Sequence, residues 1–215
     1  MKIRLALLAL TLLAASSTVT WAEGPAVKHD RLEISDLIEQ SISVLYTNRG
    51  GNQAFNVATS DILSFTSGQN QAWLLPVLNG NADSHALRSG QCDVLIYKAD
   101  TDYLTPIQFS HVGLGDFHDD QCVGFNRPLI VTIEKSAFPL VIFPTSYGKR
   151  IKTTVWRVLA YDESNESFCF APQASQTLTQ FASTTQLDEK NAAEVFKRLN
   201  LPAEFFKCVA PTKVN

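Results

Sequence analysis

The densest set of side chains able to do chemistry lies between His111 and Asp120. Asp116, His118, Asp119 and Asp120 place three carboxylates and an imidazole side by side, with His111 a strand-end away. Carboxylate oxygens suit calcium, and histidine beside carboxylates suits zinc or manganese. Neither the EF-hand spacing nor H-E-x-x-H is present. The competing reading is a solvated polar loop with Phe117 anchoring it to the core. A metal ion held by His111, Asp116, His118, Asp119 and Asp120 is therefore the one cofactor this sequence leaves open.

Other candidate chemistries are weaker. Ser146-Tyr147-Gly148-Lys149 has the S-x-x-K spacing of a lysine-activated serine. That chemistry wants a helix start, which returns the lysine beside the serine. Here the motif falls between strands and reads as a hairpin loop. Gly113-Leu114-Gly115 begins like a dinucleotide fingerprint, but position 118 is His and no strand–turn–helix surrounds it. G-x-S-x-G is missing. His29 belongs to a lead expected to fray, which leaves His85, His111 and His118 as possible bases. Lys149, Arg150 and Lys152 form the one basic knot, a contact for an acidic group or, more simply, a solvated loop that discourages edge pairing.

The elements that must position these groups are mainly strands. Pro128 to Glu134, Phe138 to Phe143, Thr153 to Tyr161 and Ser167 to Ala171 are short runs of β-branched and aromatic residues. Pro139 marks an edge or a bulge, and Pro144 to Lys152 reads as the loop between two antiparallel strands. In the third run Val155, Arg157, Leu159 and Tyr161 share one face, and Trp156, Val158 and Ala160 share the other. Arg157 alone is plainly polar, so both faces need cover.

Further strands are expected at Trp73 to Leu78, closed by an Asn79-Gly80-Asn81 turn, at Asp93 to Lys98, and at Thr105 to Leu114. Gly113 to Gly124 reads as a loop, and Asp61 to Phe65 as a helical turn or short strand. Ser35 to Tyr46 fits a capped helix. A strand from Ile42 to Thr47, turned through Gly50-Gly51 onto Gln53 to Ala58, is the rival. Ala174 to Gln186 is a Ser/Thr/Gln-rich stretch without a clear period. Asp188 to Leu199 predicts a helix carrying Ala192, Val195, Phe196 and Leu199 on one stripe, with a last turn from Pro202 to Cys208. No internal repeat is visible. The expected class is α+β and β-rich: an antiparallel sheet, open or a partial sandwich, with an N-terminal helix and C-terminal helices packed on it.

Lys2 and Arg4, an apolar Leu5–Ala15 stretch and Thr20-Trp21-Ala22 have the build of a secretory leader cut after Ala22. The apolar stretch is shorter than the ~20 residues a spanning helix needs. Residues 23–30 would form a flexible lead and 31–215 one domain. Losing Lys2 and Arg4 takes the basic count from 18 to 16 against 21 acidic residues, a net charge of −5. Such a balance disfavours nucleic acid as a partner. Four cysteines in an exported chain read as two disulfides with three possible pairings. Cys92–Cys122 with Cys169–Cys208 is the expected one, each closing a loop of roughly 30–40 residues and contributing about 3–4 kcal/mol on the chain-entropy model.

Two functions fit. One is a periplasmic or secreted non-catalytic protein that binds another protein of the cell envelope, as an inhibitor, immunity or accessory factor does. Phe117, Phe125 and Tyr147 would be its loop anchors, with Lys149 and Arg150 beside them. The other is a small periplasmic hydrolase or metal-binding protein using the His111/Asp116–Asp120 loop. Mass spectrometry of the protein purified from its host is expected to show a new N-terminus at Glu23 and no alkylatable thiol. An uncut leader or four free thiols would place the chain in a reducing compartment.

Overall fold

The computed structural model describes residues 25–48, 53–67, 69–81, 90–107, 109, 122–147, 153–182, 187–188 and 190–208. Among them lie eleven strands: β1 Lys28–His29, β2 Gln53–Val57, β3 Leu63–Ser67, β4 Asn70–Asn81, β5 Gln91–Lys98, β6 Tyr103–Ile107, β7 Cys122–Phe125, β8 Leu129–Val131, β9 Leu140–Tyr147, β10 Thr153–Asp162 and β11 Ser167–Phe170. The helices are α1 Asp36–Thr47, α2 Pro172–Ala182 and α3 Ala192–Leu199, with 3-10 turns at Thr59–Asp61 and Ala203–Phe206. The protein is α+β and β-rich, and the described strand pairs are antiparallel.

The strands form two sheets. The first runs β1-β3-β4-β5-β6 with β2 also on β4, and the second runs β11-β10-β9-β7 with β8 also on β9. Alternation dictates how they stack. Leu74, Val94, Ile96 and Phe65 of the first sheet meet Val141, Phe143, Leu159 and Phe168 of the second in one shared apolar layer. The opposite residues of the first sheet, Leu75, Val77 and Leu95, pack on Ile38, Ile42 and Tyr46 of α1. On the far side Trp156, Val158 and Ala160 pack on α2, α3 and the last 3-10 turn through Leu178, Phe196 and Phe206. The order of layers is helix, sheet, sheet, helices. Both faces of β10 are therefore covered, as its composition requires.

The two sheets repeat one topology that the sequence does not display. In each, two short strands pair in succession with the same edge of a long strand, the first on its C-terminal half and the second on its N-terminal half. A proline of the long strand marks the gap between them. The amide after the first short strand donates to that proline's carbonyl: Ala58 to Pro76 at 2.9 Å, and Asn126 to Pro144 at 2.8 Å. Two more antiparallel strands follow on the other edge of each long strand, and β1, paired with β3, adds a sixth to the first sheet. Trp156 pairs with Pro144, yet its N–H points away from β9 to the Thr179 hydroxyl at 2.9 Å. The pair is thus not a hydrogen-bonded one, and the proline's missing donor faces the gap, where no ladder bond is lost.

Several expected boundaries move for this reason. Pro144 to Tyr147 is strand, not loop, and Pro139 sits ahead of β9 rather than at an edge or bulge of it. Asn79-Gly80-Asn81 is no turn: Gly80 stays in β4 opposite Ala54 of β2. The helix wins over the strand at Ser35 to Tyr46, and Ser35 caps it through its side chain onto Ile38 N–H. Both readings of Asp61 to Phe65 apply, since a 3-10 turn ends at Asp61 and β3 follows. The lead before Asp30 is held, because Lys28 and His29 pair with Ser64 and Leu63.

Both expected disulfides are present, Cys92–Cys122 and Cys169–Cys208. The first joins the two sheets at one corner. There Gly90 and Cys122 also exchange backbone hydrogen bonds of 2.8 and 2.9 Å. A Cβ on Gly90 would stand 1.7 Å from the Asn79 carbonyl oxygen of β4 in the same sheet, so glycine is required where the chain enters β5 beside β4. Gly124, at φ +152°, takes up the bulge that follows in β7.

The Ser/Thr-rich stretch 174–186 contains helix α2, which the pattern analysis missed. Beyond the end of β11, β10 would expose an unpaired edge. Helix α2 lies along it, and the Ser175 and Thr179 hydroxyls accept from Val158 N–H (2.8 Å) and Trp156 N–H (2.9 Å). Ser175→Ala is expected to cost about 1–3 kcal/mol by orphaning a buried donor, whereas Thr177→Ala, whose hydroxyl bonds only the Gln173 carbonyl of its own helix, should change stability by about 0.5 kcal/mol or less. Urea denaturation of the two variants checks this; equal losses would mean that α2 holds β10 by apolar contact alone.

Candidate functional site

The outer face of the first sheet is only partly roofed by α1. Past the end of that roof β1, β3, β4 and β5 present one cross-strand row: Lys28, Ser64, Trp73 and Tyr97. Trp73 and Tyr97 are half-buried, with ring centroids 5.6 Å apart and planes tilted by 31°. Tyr97 donates to Asp102 at 2.9 Å, and Asp30 lies close to the Trp73 side chain. Both rings keep part of their surface open to solvent.

Asp30 connects this pair to a cleft. It follows β1, and its amide donates to the Ile62 carbonyl at 3.0 Å. Its carboxylate accepts from Arg31 N–H at 2.8 Å and from Gln71 at 3.4 Å, and the buried Ser64 hydroxyl faces it. The Ser64 hydroxyl first, then the Arg31 amide, hold the Asp30 carboxyl below the usual carboxylate range, and partial burial opposes them. Burial, with Asp102 beside it, pushes the Tyr97 phenol up, so it stays a donor.

The cleft itself has a volume of about 890 Å³ and is open to solvent. Three chain segments build it: His29 to Leu32, the 3-10 turn with Ser60 and Asp61, and Arg127. The last two are the equivalent crossings of the two sheets, from β2 to β3 and from β7 to β8. The repeated topology thus brings them together. Two guanidiniums, two carboxylates, an imidazole and two hydroxyls make a surface that can exchange charge-assisted hydrogen bonds with a polar partner.

None of this is evident from the sequence, where His29 reads as part of a frayed lead and Arg127 lies in a three-residue link between strands. The one signal is an alternation: Trp73 and Tyr97 share a face with Leu75, Val77 and Leu95, which are core.

Of the residues expected as loop anchors, Phe125 and Tyr147 both lie in strands instead, Phe125 at the end of β7 opposite Thr145. Tyr147 lies in β9 and is 6 % exposed. Its hydroxyl accepts from Arg157 Nη2 at 2.7 Å, and the Arg157 guanidinium lies 4.5 Å from the Phe109 ring centroid and 5.8 Å from those of Tyr147 and Phe170. A side chain so covered serves the core rather than a partner. Phe125 is half-buried and stacks edge-on with Phe143. His111, Asp116, Phe117, His118, Asp119, Asp120, Lys149 and Arg150 lie outside the described residues, as do His85 and Gly113 to Gly115. Among the described residues no three His, Cys, Asp or Glu side chains stand close enough to hold a metal ion.

Comparison with known proteins adds no relative. No family model, no curated protein and no solved structure matches the chain.

Asp30 gives the face a pH signature. Its folded pKa lies below the unfolded value near 3.8, so the stabilisation it brings is present above that value and lost as pH falls through the folded one. Asp30→Asn is therefore expected to melt below wild type at pH 7, and the gap is expected to close as pH falls through the folded value of the Asp30 carboxyl. A gap that stays constant down to pH 2, read by thermal scans, would show that the carboxylate charge is irrelevant there.

Proposed function

We propose that the protein acts outside the cytoplasm as a non-catalytic binding protein for another protein of the cell envelope, as an inhibitor, immunity or accessory factor would. Two disulfides fit an oxidising compartment, and among the described residues no helix is long and apolar enough to cross a membrane. The leader-like first residues point the same way. The observation that carries the reading is the cleft of Arg31, Asp61 and Arg127 next to the Trp73–Tyr97 pair. Arginine and aromatic side chains together are the usual anchors of protein interfaces. The mixed charge favours a partner that offers both signs, which gives specificity more than bulk attraction.

The test uses the full, oxidised protein immobilised and exposed to an envelope extract of its host. A partner enriched by wild type should fall about tenfold or more with the Arg31→Ala/Arg127→Ala pair, while melting stays within about 2 °C, since both side chains are exposed. Binding should also weaken as salt rises from 50 to 500 mM. Enrichment indifferent to both arginines, or none above a blank column, would remove this reading.

A further inference from the structure

We infer that the Trp73–Tyr97 pair is a recognition platform for a cationic group, the ammonium or guanidinium of a lysine or arginine presented by the partner. The inference rests on the binding reading above for its biological setting and on ring chemistry for its content.

An aromatic face attracts cations through its quadrupole, and indole does so best. Two features strengthen that face here. Each ring has a carboxylate near it: Tyr97 O–H donates to Asp102 at 2.9 Å, and Asp30 lies close to the Trp73 side chain. A hydrogen bond from the ring's edge to an anion pushes electron density back into the Tyr97 ring and makes its faces more negative. The same bond removes the phenol as a hydrogen-bonding site and holds its ring in place, so less side-chain entropy is left to lose on binding.

The surrounding charge agrees. Asp102 stands at the Tyr97 end with Asp100 two residues before it in the same turn, where Asn70 Nδ2 donates to Asp100 at 2.7 Å. Asp102 is itself held in the left-handed region, at φ 49°. Lys28 lies at the other end of the row, beyond Ser64, and its charge acts on Asp30. The Tyr97 end is therefore the more negative one, and a cation should settle over the two rings on that side. An anion is disfavoured by this distribution of charge.

Small probes test the platform without any partner. Tetramethylammonium chloride and N-acetyl-arginine amide are titrated into the full oxidised protein and followed by saturation-transfer NMR, with 3,3-dimethylbutanol as the neutral analogue of the same shape. Both cations are expected to bind saturably and the alcohol at least tenfold more weakly. Trp73→Ala should abolish the transfer. Asp102→Asn, which keeps both rings, should weaken it about threefold to tenfold and controls for any loss of packing in the Trp73 variant. Equal binding of cation and alcohol would reduce the platform to an apolar patch, and an unchanged Asp102→Asn would sink the electrostatic argument. A platform that binds these cations while the arginine pair leaves partner capture untouched would refute the docking reading alone.

Discussion

Phe65 of the first sheet meets Phe168 of the second edge-on, ring centroids 5.0 Å apart, and Phe143, Leu159, Leu74 and Ile96 fill the layer around them. This shared layer is the contact on which the remaining structure depends. Each sheet is antiparallel and could in principle leave one face to water. Here both inner faces are apolar, and burying each large side chain contributes about 1.5–3 kcal/mol. Once the inner faces close on each other, the outer faces, also apolar over much of their area, need helices. Helix α1 covers one and α2 with α3 the other.

Closing two sheets also creates problems of polar satisfaction, and the solutions are local. Arg157 lies in a strand whose neighbours on that face are Val155 and Leu159, and it is 3 % exposed. Its charge is met by three aromatic rings and the Tyr147 hydroxyl. The edge of β10 left bare by the short β11 is met by two helix hydroxyls instead of a further strand. The prolines of the two long strands fall where consecutive short strands leave a gap, so their missing donors go unneeded. At one corner Gly90 and Cys122 share backbone hydrogen bonds between the sheets, and Cys92–Cys122 locks that corner covalently.

The proposed site follows from where the cover stops. Helix α1 reaches far enough to bury Leu75, Val77 and Leu95 but leaves the next row of the same face, Trp73 and Tyr97, half open. A bare aromatic row would be an aggregation hazard. Tying the Tyr97 hydroxyl to Asp102 makes it a defined surface instead, and Asp30, close to Trp73, extends that surface into the cleft where the two topological halves meet.

Much of this was readable in the residues. The runs Phe138 to Phe143, Thr153 to Tyr161 and Ser167 to Ala171 read as strands from their β-branched and aromatic residues. Cysteine number and spacing pointed to both bonds. Ser35 with Ile38 and Ile42 marked α1 through capping and period. What the chain alone could not disclose was which edges meet. Asn79-Gly80-Asn81 has turn chemistry, yet pairing with β2 keeps it extended. Tyr147 reads as a loop residue until Arg157, ten positions on, needs its hydroxyl. Helix α2 has the composition of a linker because its hydroxyls are used against a strand edge that sequence cannot reveal. The repeated topology shows in residue identity only at the two gap prolines, Pro76 and Pro144, since backbone hydrogen bonds, not side chains, define it. Local propensity and compartment chemistry are properties of neighbouring residues, so the sequence determined them. The cleft joins residues from His29 to Arg127, and only closure of the two sheets on one another decides that they meet.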